Sequence, residues 1–542
     1  MGEMTSSDKI SGKSGWRISS LERLYRQSRF FDWSIQTQDL PNHLLLPQDP
    51  WRGQAEKGQA FFNAEQPYKI TDPYYHTLVW LRDLRDFGGN RARQLAREHL
   101  QRLMAKMKRW DEEFWQPDHT GKRISNLLFT YSWFGSSADE AFQAEIIQFL
   151  ARQMQGLALD WQKLSEPQEQ ISALKGLLIG QVSFGADSEE AAQILALILP
   201  LINSQINPDF GHISRQPERH LDLLRDIFEC RLAAALAGQP EQDALSDIIS
   251  KMGAVAKMWR HGDGSFAHFQ GAGRSTSSQI EEVVARCGPR GRIVQQAPHT
   301  GFIRLASGRN TLIMDAGPAQ PDTASSAVSP HAAHSTLAFE FSVGTSPFIV
   351  NSGQYSSDAQ LTRLLRQSVA HSTLTLDGMD ISAPDDGRQA QLYGVEVGPA
   401  PDGLLIEASH DGFDKSHGIH HMRQLYLKTG GGNLRGMDKL IYTGAPGVIA
   451  QEAQIRFHLH PRVSAARLQQ GTILMKIRGQ KAGWHFKCRG GSARLDNSIY
   501  IDQGRRVSCQ QIILSVGLGD IRSLGEISAR WAFARAETQK KQ

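Results

Sequence analysis

The spacing of apolar residues changes once along this chain, and that change limits the fold more than any other feature of the sequence. Up to about residue 260 the apolar residues recur at steps of three and four, which is the period of an amphipathic helix. A clear example is the series Leu221, Leu224, Phe228, Leu232 and Leu236. We expect roughly nine to eleven helices in this half, joined by short loops. Residues 193–202 are apolar nearly all round, which predicts a helix buried between two layers.

The apolar period becomes two in the second half of the chain. Residues 336–343 alternate between two faces, and residues 371–377 end at Asp377-Gly378, a dipeptide typical of hairpin turns. Turns containing glycine then recur at intervals of roughly 8–12 residues as far as about residue 517, which favours an antiparallel β-sandwich. The predicted fold class is therefore multidomain α+β, with the helices first and the antiparallel strands after them.

The predicted boundary between the two halves is a polar segment. Residues 262–298 are poor in apolar residues and rich in glycine, serine and arginine. The length of 542 residues also favours more than one compact domain. The predicted division is a helical domain over 1–270, a linker over 271–298, a sandwich domain over 299–535 and a disordered tail over 536–542.

Composition and charge exclude several classes of function. The formal charge of +4 arises from 60 basic and 56 acidic residues, so nothing compels a nucleic-acid partner, although a local basic groove could still hold an anion. Basic residues are not interleaved with aromatic ones as a nucleic-acid platform needs, so we expect no nucleic-acid partner. The sequence contains no phosphate-binding loop, no HExxH helix and no GxSxG nucleophile elbow.

The N-terminus and the cysteines bear on the compartment. The first residues are polar and lack the apolar core of a signal peptide, and no apolar run reaches the ~20 residues that would span a bilayer. We therefore expect a cytoplasmic protein without a transmembrane segment, or a periplasmic one if the start codon is misassigned. The cysteines are Cys230, Cys287, Cys488 and Cys509. Their scattered positions predict reduced structural thiols.

Three groups of segments together resemble the heparinase II/III family, and in particular its bacterial branch. The first group is 209–217 and 220–225, and the second is 261–266. The third comprises 314–318, 329–331, 337–341, 349–353 and 366–373. Each fragment alone is weak, but their ordered combination is specific. The resemblance extends over about residues 120–520.

This resemblance implies an incomplete (α/α) toroid followed by an antiparallel β-sandwich, which together hold a uronic-acid polysaccharide such as a glycosaminoglycan. It also implies a lyase that works by β-elimination. In that reaction a donor neutralises the uronate carboxylate, a base removes the C5 proton and an acid protonates the departing O4. Ionised oxygens bind strongly to aimed N–H donors, and proton removal suits histidine or tyrosine.

The resemblance also assigns roles to individual residues. It implies His331 and Asn126 for catalysis. Residue type and position in the same segments add His212 as a catalytic candidate, and Arg215, His371, His261 and Asp263 as candidates for substrate binding. Arg215 suits a carboxylate because its planar fork pairs both oxygens. Structural alternatives stay open for each of them: a histidine bonded to backbone, an amide that joins two helices, or a glycine-rich turn.

The sequence departs from the family pattern at two places. Members that cleave polysaccharides carry a catalytic tyrosine where this chain has Arg219, which leaves His212 or His220 as substitutes. Relatives that bind a metal use two histidines and an aspartate. The corresponding set here is His334, Asn351 and His371, with Ala333 at the usual position of one histidine. Neutral asparagine is a poorer zinc ligand than a carboxylate, so the structural zinc site is eroded in this sequence, and no other cofactor is predicted.

Three functions remain open from the sequence. The first is a polysaccharide lyase that acts on an acidic polysaccharide. The second is a catalytically degenerate protein on the same scaffold, which binds glycans or assembles a surface polysaccharide. The third is a hydrolase or transferase that uses a carboxylate pair such as Asp209 and Asp263. The sheet edges and exposed helices offer surfaces for a homodimer in each case.

Overall fold

The computed structural model describes most of the chain. The described residues are 16, 18–37, 40–64, 69, 71–185, 188–288, 293–318, 333–353, 358–381, 390–444, 448, 450–468 and 471–536. They form two compact units. The helical unit includes Ser11–Ile206 and Leu223–Ile249. The sandwich unit includes Asn207–Asp222 and Ser250–Gln542.

Helices follow one another along the first half of the chain, as the apolar period predicts. They are α1 (Ser20–Arg26), α2 (Arg29–Ser34), α3 (Ala55–Asn63), α4 (Pro73–His76), α5 (Trp80–Phe87), α6 (Asn90–Lys106), α7 (Pro117–Phe134), α8 (Glu140–Asp160), α9 (Pro167–Ser183), α10 (Ser188–Ser204), α11 (Pro217–Leu236) and α12 (Glu241–Met258). A short 3-10 helix spans Trp161–Lys163. The starts obey ordinary rules: the side chain of Asp139 accepts the N–H of Phe142 at the start of α8, and Pro117 and Pro167 open α7 and α9. Among the described residues, no helix is both long enough and apolar enough to cross a membrane.

Two glycines let α7 and α9 pack closely in the helical unit. A Cβ atom on Gly121 would lie 2.3 Å from the carbonyl oxygen of Ser172, and one on Gly176 would lie 2.4 Å from the Cα of Gly121. No larger side chain fits at either position without moving a backbone. In contrast, α10 is not buried on all sides as predicted. Leu195, Ile198 and Ile202 are buried, but Leu197 is 45% exposed, because one face of this apolar helix has no covering layer within the described residues of its unit.

The sandwich unit contains two antiparallel sheets. Its strands are β1 (Gln296–Ala297), β2 (Phe302–Ser307), β3 (Asn310–Asp315), β4 (Phe339–Val343), β5 (Ser346–Val350), β6 (Leu374–Leu376), β7 (Leu392–Ala400), β8 (Gly403–Phe413), β9 (Ile419–Lys428), β10 (Asn433–Tyr442), β11 (Glu452–Leu459), β12 (Val463–Arg467), β13 (Ile473–Ile477), β14 (Trp484–Arg489), β15 (Ser492–Asp502), β16 (Arg505–Gly517) and β17 (Glu526–Arg535). Helix α13 (Ser277–Arg286) precedes the strands. Short helices α14 (Ala359–Leu365), α15 (Asp414–His417) and α16 (Ile521–Leu524) and a 3-10 helix, Ser368–Ala370, lie between them.

Strand order follows the antiparallel connections predicted from the period of two. The nine-stranded sheet has the order β1-β2-β3-β4-β5-β11-β16-β15, with β6 also paired to β11. The eight-stranded sheet has the order β12-β13-β14-β17-β10-β9-β8-β7. Residues that alternate inward from both sheets form one apolar core. At its centre Phe339 stacks on Trp531, with ring centroids 5.6 Å apart, and Phe457 lies edge-on to Trp531 at 4.7 Å.

A charged network lies inside this apolar core. The carboxylate of Asp438 accepts hydrogen bonds from His421 Nε2 at 2.8 Å, Arg423 Nε at 2.7 Å and Trp531 Nε1 at 2.8 Å. His421 in turn accepts from His410 Nε2 at 3.1 Å, which fixes both histidines as neutral tautomers since His410 Nδ1 accepts a backbone N–H. The charge of Asp438 is therefore balanced by Arg423, which is fully buried.

The segment before the first long strand packs on the outer face of the nine-stranded sheet. The N–H of His268 donates to Glu340 on β4 at 3.0 Å, and Arg304 on β2 donates to the carbonyl of Met258 at 3.0 Å. A Cβ atom on Gly262 would lie 2.0 Å from the carbonyl oxygen of Gly344. The segment predicted as a linker, 271–298, carries α13 and β1, and the predicted tail lies outside the described residues after Ala536. The predicted domain limits stay a prediction.

Candidate functional site

His331 and Asn126, two of the residues predicted for catalysis, differ in how far the structure describes them. His331 lies outside the described residues. Asn126 is on α7 in the helical unit and is 7% exposed. Its side-chain oxygen accepts a hydrogen bond from Arg82, and its Nδ2 donates to the carbonyl of Thr77 at 2.8 Å. Since both polar atoms of its side chain are bonded within the protein, Asn126 has the geometry of an amide that joins helices. Its catalytic role stays a prediction.

Arg215 and His212 lie in the sandwich unit, in a loop that precedes α11. The Arg215 guanidinium is buried, pairs with Asp315 and donates to the carbonyls of Thr300 (2.9 Å) and Pro318. All of its nitrogens are therefore engaged within the protein, and the arrangement favours a structural ion pair over the predicted clamp for a substrate carboxylate. His212 Nδ1 accepts from the N–H of Ser214 at 3.0 Å. Burial lowers the pKa of His212 to about 3, with Arg219 and His220 adding to the shift.

The residues predicted as a metal set do not fit a zinc ion. His334 Nδ1 bonds the carbonyl of Ile381 at 3.0 Å, and the side-chain oxygen of Asn351 accepts the N–H of Ser372 at 2.8 Å. Burial lowers the pKa of His371 to about 3, with the neighbouring His458 and His334 contributing. Within the described ranges, no group of three or more histidine, cysteine or carboxylate side chains is placed to hold a metal. The prediction of a structural zinc therefore gains no support from these donors.

Two other predicted residues, His261 and Asp263, occupy the loop after α12. His261 is buried, and its Nε2 donates to Glu340 at 2.8 Å. Asp263 stays at the surface, where its carboxylate accepts the N–H of Ser265 at 3.0 Å and closes the glycine-rich turn. The other carboxylate of the proposed hydrolase pair, Asp209, accepts the backbone N–H groups of His299 (2.7 Å) and Thr300 (2.8 Å). The geometry thus favours structural roles for both carboxylates.

Glu340, on the outer face of the nine-stranded sheet, is at the centre of a cluster of ionisable side chains. Its second oxygen accepts the N–H of Asn351 at 2.7 Å and the N–H of His268 at 3.0 Å. The imidazole of His268 stacks on the ring of Tyr500, with centroids 4.9 Å apart and planes 19° apart. The hydroxyl of Tyr500 lies 3.4 Å from His268 Nε2. We call this group, with His460, the tyrosine–histidine cluster.

His460 completes the cluster on the other side of Tyr500. Its ring lies edge-on to Tyr500, with centroids 5.0 Å apart. The backbone N–H of Arg462 donates to His460 Nδ1 at 3.2 Å, which places the ring proton on Nε2 in the neutral form. Tyr500 and His460 are both half-buried, whereas His268 is 7% exposed. The cluster therefore presents a phenol and an imidazole N–H at the surface, backed by a buried histidine and a carboxylate.

The electrostatics keep all three rings neutral near pH 7. Burial raises the pKa of Tyr500 well above its usual value, and Glu340, Asp502 and Asp263 push it further in that direction. Burial lowers the pKa of His460 to about 4, with His268 and Arg462 contributing. Burial also lowers the pKa of His268, although the charge of Glu340 opposes this shift. A neutral phenol next to a neutral imidazole can exchange a proton with it.

A basic cavity adjoins the cluster through His261. It has a volume of about 410 Å³ and is lined by Lys257, Arg260, Arg304 and His261, among others. Glu281 pairs with Arg260 at 2.5 Å. Burial next to Arg260 lowers the pKa of Arg304 to about 10. Three cationic side chains around one acidic group give this cavity a net preference for anions.

Sequence reasoning missed most of the cluster. His268 and Tyr500 are 232 positions apart, and neither belongs to a motif. Glu340 carried a usable signal, because it is a charged residue in the middle of an otherwise apolar strand, where burial requires a partner. His460 lies two residues after His458 but has different partners, since His458 bonds Ser498 and the carbonyl of Val369.

Comparison with known proteins shows which group the chain is similar to. Residues 289–532 match the family model described as Heparinase II/III-like, C-terminal. FtsZ-localized protein C of Caulobacter vibrioides (strain NA1000 / CB15N) is 26% identical over 497 residues, which are 88% of this chain and 84% of that protein.

Solved structures share the fold at low sequence identity. Heparan sulfate lyase HepC from Pedobacter heparinus is similar with a TM-score of 0.61 and 14% identity, over 90% of this chain and 87% of that one. A heparinase III is similar with a TM-score of 0.67 and 13% identity, over 95% of this chain and 90% of that one. Identities this low establish the fold alone. The predicted fold class, a helical toroid followed by an antiparallel β-sandwich, is confirmed.

Proposed function

We propose that this chain, which belongs to the heparinase II/III family through its residues 289–532, binds a polysaccharide containing uronic acid and cleaves it by β-elimination. The observation that carries the proposal is the tyrosine–histidine cluster on the outer face of the nine-stranded sheet. This cluster contains Tyr500, whereas the chain has Arg219 at the position where family members that cleave polysaccharides carry their catalytic tyrosine. The fold of the heparinase structures and the anion preference of the adjoining cavity support the same class of substrate.

The proton transfers follow from the neutral state of the cluster. Tyr500 oxygen removes the C5 proton of the uronate while its own proton passes to His268 Nε2, 3.4 Å away. The C5–H electron pair forms the C4–C5 double bond, and the C4–O4 bond breaks. Tyr500 then gives its new proton to O4, and His268 returns the first proton to the phenol.

Two interactions assist these steps: Glu340 stabilises the positive charge on His268, and His460 binds the uronate carboxylate. The imidazolium that forms transiently on His268 is stabilised by Glu340, whose charge favours the protonated form. His460 donates its Nε2–H to the uronate carboxylate. This hydrogen bond makes the C5 proton easier to remove. His261 holds Glu340 in place through their 2.8 Å contact and is a positioning residue.

The decisive experiment measures whether the unsaturated product forms. Purified protein is incubated with heparin, heparan sulfate, alginate, hyaluronan and bacterial surface glycans, and the ultraviolet absorbance of the new double bond is followed. Tyr500→Phe should lower the rate at least about 100-fold, since a single acid–base group contributes ~10²–10⁴. Tyr442→Phe, which removes a hydroxyl from the other sheet, is the matched control and should leave the rate unchanged.

Two outcomes would contradict this assignment. If Tyr500→Phe retains the parent rate while its circular dichroism spectrum is unchanged, Tyr500 is not the proton-transfer residue. If no polysaccharide gives the double bond, the protein is not a lyase for those substrates.

A second candidate function is a glycan-binding protein without catalysis that acts at the division site. It is favoured by Arg219 at the family's tyrosine position and by the name of the Caulobacter relative, which describes localisation with FtsZ. A fluorescent fusion expressed in dividing cells tests it. Enrichment at midcell together with polysaccharide binding and no double-bond product would support this function, whereas a uniform distribution would refute it.

A further inference from the structure

The outer face of the eight-stranded sheet carries a concave basic surface, which we call the basic face. Its cavity has a volume of about 770 Å³. Four cationic side chains on three neighbouring strands surround it: Lys487 and Arg489 on β14, Arg530 on β17 and Arg435 on β10. All four are exposed. In this sandwich the basic face and the tyrosine–histidine cluster lie on the outer faces of opposite sheets.

Like charges stand directly opposite each other on this face. Arg489 and Arg530 are register partners on adjacent antiparallel strands, an arrangement that costs stability. Among the residues that the structure describes, no carboxylate lies within ion-pair distance of Lys487, Arg489 or Arg530. Arg435 contacts Asn433 at 3.2 Å and lies over the ring of Tyr426, 5.7 Å from its centroid. An anionic ligand would relieve this repulsion.

We propose that the basic face binds a segment of acidic polysaccharide, separately from the catalytic cluster. The inference rests on the class of ligand in the proposed function but not on catalysis. Carboxylate or sulfate groups repeated along a glycan can pair with the arginine forks on β14, β17 and β10. These strands are spaced so that the outer two lie roughly 9–10 Å apart. The volume of the cavity is within the ordinary range for ligand sites.

Backbone pairing argues against an acidic peptide as the occupant. β17, β10 and β9 are each hydrogen-bonded to a strand on both sides, and β14 pairs with β17 from Trp484 to Arg489, so the strands at the centre of this face offer no open edge to a bound peptide. A nucleic acid strand would need several stacking aromatics. Tyr426 is half-buried and Trp531 is 2% exposed, and these are the aromatic side chains in the lining of the cavity. A glycan recognised through its charged groups needs neither feature.

The test measures binding in a background that does not cleave. Arg489→Glu/Arg530→Glu is combined with Tyr500→Phe, and binding to immobilised heparin and polygalacturonate is titrated at several salt concentrations. Lys106→Glu/Lys108→Glu, which makes the same change in charge on exposed positions of the helical unit, is the matched control. We expect the basic-face variant to bind both polymers at least tenfold more weakly, with a shallower dependence on salt, and the control variant to bind as the Tyr500→Phe parent does.

Each alternative outcome decides the matter. Equal affinity of the basic-face and control variants would overturn the proposal, and so would parent binding to neutral dextran as tight as to heparin. Binding of poly-glutamate in place of both polysaccharides would assign the face to an acidic peptide. If Tyr500→Phe still cleaves, the catalytic assignment fails, but the comparison between basic-face and control variants stands.

Discussion

The charged network in the sandwich core gives the sharpest prediction for stability. Asp438 is 2% exposed and accepts three hydrogen bonds, and Arg423 is fully buried. The substitution Asp438→Asn keeps the shape of the side chain but removes its charge. It leaves the Arg423 guanidinium without a counter-charge. It also replaces one acceptor oxygen by an amide NH2 group, which faces donors that need an acceptor.

The size of the effect follows from the cost of an uncompensated buried charge. Removing one partner of a buried ion pair costs about 3–5 kcal/mol. The remaining bonds of Arg423, from Nη1 to the carbonyls of Leu337 (2.7 Å) and Ser372 (3.0 Å), do not neutralise its charge. Native proteins are stable by about 5–15 kcal/mol, so Asp438→Asn should remove a large share of the stability of the sandwich unit.

Urea unfolding and calorimetry measure this loss. We expect the Tm of the sandwich transition to fall by roughly 10 °C, since 1 kcal/mol shifts a domain of this size by about 2–4 °C. Asp402→Asn, at an exposed carboxylate that pairs with Lys428, is the control and should change the free energy of unfolding by less than about 0.5 kcal/mol. The double variant Asp438→Asn/Arg423→Met should recover part of the loss, because it removes both charges. A loss below about 1 kcal/mol for Asp438→Asn would refute the reasoning.

Two further predictions concern pH and surface charge. Burial lowers the pKa of His220 and of His458 to about 4, so both are neutral in the fold and take up protons on unfolding below about pH 6.5. The contribution of the two neutral histidines to stability is complete above that pH and declines toward pH 4. At about pH 5, urea unfolding should show that the free energy of unfolding has fallen by about 2 kcal/mol for each histidine. An unchanged free energy of unfolding at that pH would contradict this prediction. Arg530→Glu replaces the like-charged contact with Arg489 by an ion pair and should raise the free energy of unfolding by about 0.5 kcal/mol, whereas Arg530→Lys should leave it unchanged; a loss of stability in Arg530→Glu would show that the two arginines do not repel each other.

Apolar periodicity was enough to predict the two kinds of architecture but not every element. The alternation over 336–343 predicts a strand, and β4 starts only at Phe339 because Leu337 adopts a positive φ of 59°. Helix α13 was missed because the segment around it is rich in glycine and serine. Its capping box, formed by Thr276 and Gln279, was nevertheless a readable signal.

The candidate site was less predictable, because its members meet through tertiary structure. Asn126 and Arg215 are the residue types that an anion requires, but whether their donors are free depends on Arg82 and Asp315, which no local pattern pairs with them. Tyr500 comes near His268 through the sandwich topology. Residue type therefore indicated the class of chemistry, whereas hydrogen-bond partners decided which side chains remain available for it.

The path of the chain between the two units limits how the protein can be dissected. The sandwich unit includes Asn207–Asp222, after which the chain returns to the helical unit for Leu223–Ile249. A fragment that starts at residue 299 would lack Arg215 and leave Asp315, which is fully buried, without the guanidinium that neutralises it. Truncation at the apparent domain boundary would therefore yield an unstable β fragment, and insertions or fusions designed to separate the halves must leave this excursion of the chain intact.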